Sequence, residues 1–174
     1  MIWSKQLKLV GVLAILVAIA TACSVSYKFN GSSIDYTKTK TIAFETFPNR
    51  SAGFVWGPME SMFNTALQDI YVQQTRLKQV NRGGDLQLSG EITNYDAYNK
   101  GIGSDGFSSM VELRMTVKVH FVNNVDRKQS FDQQFSASRE YESTQQLSAV
   151  QDDLVTQMCK EISDQIFNAT VANW

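Results

Sequence analysis

The run Val111-Glu112-Leu113-Arg114-Met115-Thr116-Val117-Lys118-Val119-His120-Phe121 puts an apolar side chain at every odd position and a polar one at every even position. Successive side chains of an extended strand leave opposite faces, so this period of two describes an antiparallel strand with one face in a core and one in water. Its neighbours in sequence carry the same signature more loosely. Upstream, Leu86 to Tyr98 alternates Leu88, Gly90 and Ile92 against Gln87, Ser89, Glu91 and Thr93 after the turn Arg82-Gly83-Gly84-Asp85. Downstream, Asn123-Asn124 through Arg127 makes a short connection, and Ser130 to Tyr141 returns with Phe131, Phe135 and Ala137 facing in.

The flanks supply the layer that covers the apolar face. Thr41 to Phe47 reads as a first strand ended by Pro48-Asn49, and Leu77 to Val80 as a short one. Between them a helix starts at Pro58, with Glu60 in its first turn and Met59, Phe63, Ala66, Leu67 and Ile70 on one side. A closing helix is expected from a capping box, Ser143 with Gln146 three positions on, and its stripe is Leu147, Leu154, Val155, Met158, Ile162 and Ile166. Gln151 and Gln165 interrupt that stripe and point to contact with solvent or a partner. The fold class is therefore α+β: a roughly four-stranded, mainly antiparallel sheet with two helices packed on one face.

The N-terminus has a different logic. Lys5 and Lys8 precede the apolar stretch Leu9 to Ala20, and Ala20-Thr21-Ala22-Cys23 follows. The stretch is the length of a secretory-signal core, about 7 to 15 residues, and short of the 18 or more of a membrane span. Small residues ending on a cysteine make a bacterial lipoprotein signal, because a thiol can be alkylated to a diacylglyceryl thioether before cleavage frees the amine for a further acyl chain. One acyl chain holds a protein only marginally at about 0.8 kcal/mol per buried methylene, and two or three make a stable anchor. The expected organisation is thus residues 1–22 as signal peptide, 23–38 as a lipidated tether rich in Ser, Thr, Asn and Gly, and 39–174 as one domain. With no aspartate at position 24, the expected destination is the periplasmic face of the outer membrane.

Lys5 and Lys8 are the only charged residues of 1–22, so the mature chain sets 14 basic residues against 17 acidic ones. That balance points away from nucleic acid. With Cys23 lipidated, Cys159 is the single remaining thiol and an internal disulfide is excluded. Catalytic patterns are equally sparse. His120 is the only histidine and falls on the polar face, Cys159 reads as a small buried hydrophobe, and no metal-ligand spacing or nucleophile elbow occurs. Gly101-Ile102-Gly103-Ser104-Asp105-Gly106 joins two strands without opening a helix and reads as a hairpin tip. No cofactor is implied, and the chain is not expected to be an enzyme. The polar sheet face is the better site: Arg114 and Lys118 leave it together and are candidate ligands for a lipid phosphate. Glu112 and Asp132 stand nearby as internal partners.

A lipobox followed by strand, helix, three meandering strands and a C-terminal helix resembles the LptE family of outer-membrane lipopolysaccharide-assembly lipoproteins. Gly84-Asp85-Leu86-Gln87-Leu88-Ser89-Gly90-Glu91-Ile92-Thr93-Asn94-Tyr95 is similar to that family's second-strand pattern, and Ile166 to Trp174 resembles its ending in gut-type Gram-negative bacteria. The resemblance implies a plug inside an LptD-type barrel that helps the barrel fold and pass lipopolysaccharide outward. Its partners would then be that barrel, lipopolysaccharide and, through the N-terminal lipid, the membrane. A lipid-anchored adaptor of another envelope assembly is the competing expectation, separated from the first by co-purification with a large barrel. An envelope hydrolase would announce itself by turnover lost on changing one polar residue.

Overall fold

The structure, a computed structural model, describes residues 34–53, 56–100 and 110–172. Cys23, most of the 23–38 tether and the Gly101–Gly106 tip lie outside them. The elements are β1 (Thr41–Phe44), α1 (Pro58–Gln74), β2 (Lys78–Val80), β3 (Leu86–Lys100), β4 (Met110–Asn123), β5 (Phe131–Glu142) and α2 (Leu147–Phe167), continued by a π-helical turn, Asn168–Ala172. The architecture is α+β as expected, with a fifth strand in the sheet. Its order is β2-β1-β3-β4-β5: β1 runs parallel to both neighbours, and β3, β4 and β5 form an antiparallel meander.

The alternation of β4 survives intact. Val111, Leu113, Met115, Val117, Val119 and Phe121 are all buried, joined from β5 by Phe135 and Ala137. Above them lie Met59, Phe63, Leu67 and Tyr71 of α1 and Leu154, Val155, Met158, Ile162 and Ile166 of α2. Each such aliphatic or aromatic side chain contributes roughly 1.5–3 kcal/mol when fully withdrawn from water. Tyr71 lay outside the stripe read from sequence. It is edge-on to Phe44 and Phe167, and its hydroxyl is hydrogen-bonded to the buried Thr170 hydroxyl, which fastens the π-helical turn to α1.

Three features of the elements differ from expectation. First, β1 stops at Phe44, not Phe47. The Phe47 N–H donates to Asn64 Oδ1 at 2.9 Å and the Asn49 N–H to Glu60 Oε2 at 3.1 Å, so α1 side chains take backbone groups the ladder would have used. Second, the register of β3 shifts between Ile92 and Asn94. That bulge brings Tyr95 inward after Ile92, where strict alternation would have put Asn94. Third, α2 begins three residues later than a cap at Ser143 would place it. β5 runs on to Glu142, a turn follows in which the Gln145 N–H donates to the Glu142 carbonyl, and α2 begins at Leu147 with no side-chain bond at its Gln146 cap.

The interrupting glutamines also have specific roles. Gln151 is buried and its Nε2 donates to the Tyr95 hydroxyl at 2.7 Å, so the bulge and this polar residue of the stripe explain each other. Gln165 donates to the Ser136 carbonyl at 3.3 Å.

Candidate functional site

The face of the sheet turned away from the helices is the broad polar surface of the molecule. Cross-strand register arranges it in rows: Ser89–His120–Asp132, then Glu91–Lys118–Gln134, Asn94–Thr116–Ser136, Asp96–Arg114–Ser138, and Tyr98–Glu112–Glu140. Each row crosses β3, β4 and β5. The strict alternation of β4 is what delivers five polar side chains to one side.

Arg114 and Lys118 both reach this face, but they do not converge. They are four residues apart with Thr116 between them, about 13 Å along the strand, too far to grip one phosphate directly. Their electrostatic settings also differ. The Arg114 guanidinium gives Glu112 two hydrogen bonds, 2.6 Å from Nη2 and 3.1 Å from Nε, and lies 5.7 Å above the Tyr98 ring. Lys100 stands 3.4 Å from the other Glu112 oxygen and pairs with Glu140 as well. Two cations and two carboxylates therefore cancel at the Lys100 end of the sheet.

Glu112, expected to be an outward polar residue, is in fact buried beneath these partners. The Arg114 hydrogen bond, followed by those from Ser138 and Lys100, holds its carboxyl below the usual carboxylate range. Lys118 has no ion pair within 4 Å among the described residues. The spacing of Glu112 and Arg114, two residues apart on one face, was the signal in the sequence for this pairing.

One row has the composition of a hydrolase triad, Ser89, His120 and Asp132, and His120 Nδ1 lies 2.8 Å from Asp132 Oδ1. The rest of a triad is missing: no hydrogen bond joins Ser89 to His120 among the described residues, and the His120 and Asp132 side chains are each more than half exposed. A general base so open to water gains none of the low-dielectric advantage such chemistry uses. Cys159 is equally unsuited to attack, since burial pushes its thiol up to about 12. Among the described residues no cluster of three His, Cys, Asp or Glu is placed to hold a metal ion, and no helix is long and apolar enough to cross a membrane.

The family model LptE, lipopolysaccharide-assembly, matches residues 39–170. No curated protein matches the sequence. Among solved structures, the rare lipoprotein B from Shewanella oneidensis is similar over 75% of this chain and 92% of its own, with TM-score 0.53 and 12% identity. A minor lipoprotein from Acinetobacter baumannii is similar over 78% and 94%, with TM-score 0.51 and 16% identity. The uncharacterized lipoprotein B from Nitrosomonas europaea is similar over 77% and 83%, with TM-score 0.51 and 15% identity. At such identities the likeness is one of fold.

Proposed function

This chain belongs to the LptE family of non-enzymatic lipopolysaccharide-assembly lipoproteins, and from that premise we propose that it works as the lipid-anchored plug and partner of an LptD-type outer-membrane barrel. The observation that carries the reading is the two-sidedness of the sheet. One face is sealed by α1 and α2, while the other sets hydrogen-bonding and charged side chains in rows across three strands. Large barrels have polar, water-filled interiors, and such a face can sit against one without a desolvated apolar patch. The test is isolation: tagged protein extracted from outer membranes should come out one-to-one with a barrel, and recovery without one would refute the role.

Anchoring rests on Cys23 in this proposal, with residues 1–22 removed, 23–38 as tether and 39–174 as the working domain on the periplasmic side of the outer membrane. Cys23→Ala should leave the protein unprocessed or released from the membrane, because the thioether carries the acyl chains. Metabolic labelling with a radioactive fatty acid reads this directly. Label in the wild type and none in the variant is expected; an unlabelled wild type would remove the basis for the localisation.

Contact with lipopolysaccharide is proposed for the polar face, with Arg114 and Lys118 as separate points of positive charge. Replacing both with glutamate should weaken lipopolysaccharide binding without unfolding the domain, and wild-type binding should fall as salt rises, since exposed charges are screened over about 8 Å at physiological ionic strength. Lys118→Glu should account for most of the loss, because Glu112 already neutralises Arg114. Full, equally salt-sensitive affinity in the double variant would show that this face is only solvated.

A further inference from the structure

The turn between β2 and β3 is unusually well fixed for a surface turn. Gly83 has φ +70°, a conformation side chains disfavour, and Gly84 is pressed so close to β1 that a Cβ there would lie 2.7 Å from the Ala43 nitrogen. The Gly84 carbonyl accepts from Asn124 Nδ2 at 2.8 Å. Next to it, Asp85 Oδ2 accepts from the Lys40 and Thr41 backbone N–H groups at 2.8 and 3.0 Å and from the Thr41 hydroxyl at 2.9 Å. Those hydrogen bonds, the Lys40 N–H first among them, hold the Asp85 carboxyl below its ordinary range. Yet Asn81 and Arg82, which this rigid turn presents, are exposed, and their side chains make no hydrogen bond or ion pair among the described residues.

Asn81 and Arg82 border a concavity of about 300 Å³ on the outward sheet face. Ala43 and Val122 give it an apolar surface, Gln87 and Ser89 of β3 contribute an amide and a hydroxyl, and Glu45 and His120 complete its walls. Two features suggest availability for a ligand. Glu45 and Arg82 share the hollow without an ion pair between them, so neither charge is spent on the other. His120 commits Nδ1 to Asp132, which orients the ring and leaves Nε2 as its other polar atom.

This constellation selects a chemistry. A guanidinium matches phosphate geometry, a carboxylate with two amides matches vicinal hydroxyls, and small apolar patches accept the C–H face of a sugar ring. The volume is at the lower end of ligand sites, roughly 300–1,000 Å³, which suits one ring. We propose that this concavity binds a phosphorylated sugar, with Arg82 on the phosphate and Glu45, Asn81 and Gln87 on ring hydroxyls. The proposal rests on the lipopolysaccharide-handling reading and gives it a specific headgroup site. Lys118, one outward step from His120 and about 7 Å along β4, continues the positive charge beyond the hollow.

The test is a titration of isotope-labelled full-length protein, extracted in detergent micelles, with glucosamine 1-phosphate, with methyl glucoside and with inorganic phosphate. Saturable amide shifts should be confined to Asn81, Arg82, Gln87, Ser89, His120 and their neighbours. Arg82→Ala should raise the Kd at least tenfold, Lys160→Ala on the solvent side of α2 should leave it unchanged, and each single-component probe should bind at least tenfold more weakly than the sugar phosphate. Absent shifts, an unaltered Kd in Arg82→Ala, or inorganic phosphate binding as tightly as the sugar phosphate would overturn the proposal. Barrel co-purification measured on the same preparations separates the two readings. A barrel retained by wild type and Arg82→Ala leaves the plug role standing whatever the titration gives, while a wild type without one removes the plug role alone.

Discussion

Val117→Asp is expected to destabilise the domain by several kcal/mol, while Thr116→Asp, one residue away, changes stability by no more than about 0.5 kcal/mol. Val117 is fully buried between Ile92 of β3 and Phe135 of β5 in the cross-strand register, both of them buried themselves. A carboxylate there would lose its water and meet no donor, so the cost combines lost packing with an uncompensated charge. Thr116 points the other way, between Asn94 and Ser136, where a carboxylate keeps its hydration. Thermal or denaturant unfolding of the two variants decides the matter, and equal destabilisation would contradict a sheet covered on one side only.

Gly90→Ala should be nearly as damaging although it adds a single methyl group. A Cβ at Gly90 would lie 2.1 Å from the Lys118 carbonyl oxygen and 2.5 Å from Cε1 of Phe47. The first contact is with the backbone of β4, which cannot rotate away, and the second with a fully buried ring packed edge-on to Phe63. Overpacking in a closed core costs about 1–3 kcal/mol, and a clash with strand backbone belongs at the top of that range or above it. Gly57→Ala is the control, since nothing lies within 4 Å of a Cβ placed there. Denaturation midpoints should fall sharply for the first variant and hardly move for the second.

These two positions also mark what could be read from sequence. The inward side of β4 follows from period-two alternation, and that of α1 from apolar spacing after Pro58, because in both cases one continuous element faces one core. Gly90 could be placed on the inward side as well, but not the reason for its smallness, which is the Phe47 ring arriving from a segment that has already left the sheet. Tyr95 was hidden for a related reason: a bulge changes which parity faces in, and nothing in the residues Ile92-Thr93-Asn94 announces the extra residue. Once the bulge exists, Gln151 ceases to be an exposed interruption of α2 and becomes the partner of the Tyr95 hydroxyl.

The polar face was legible in the sequence, and the full pairing of its charges was not. Alternation correctly delivers Arg114 and Lys118 to the same face. It says nothing of Lys100 and Glu140, which arrive from the strands on either side and, with Glu112, absorb the Arg114 charge. Arg82 was visible only as part of a glycine-rich turn. Its significance depends on the contacts that stiffen that turn, several of them made by residues distant in sequence such as Ala43 and Asn124.

Enclosure within a barrel is the central claim, and site-specific photocrosslinking in living cells addresses it most directly. Crosslinkers at Lys118 and Gln134 would report from the outward sheet face, and crosslinkers at Val72 and Lys160 from the solvent side of α1 and α2, all four positions being exposed. A plug surrounded by its partner should give adducts to one and the same barrel protein from both sides of the molecule. Adducts from a single side only, or to a protein that is not a barrel, would contradict the account and make the chain a surface-docked adaptor.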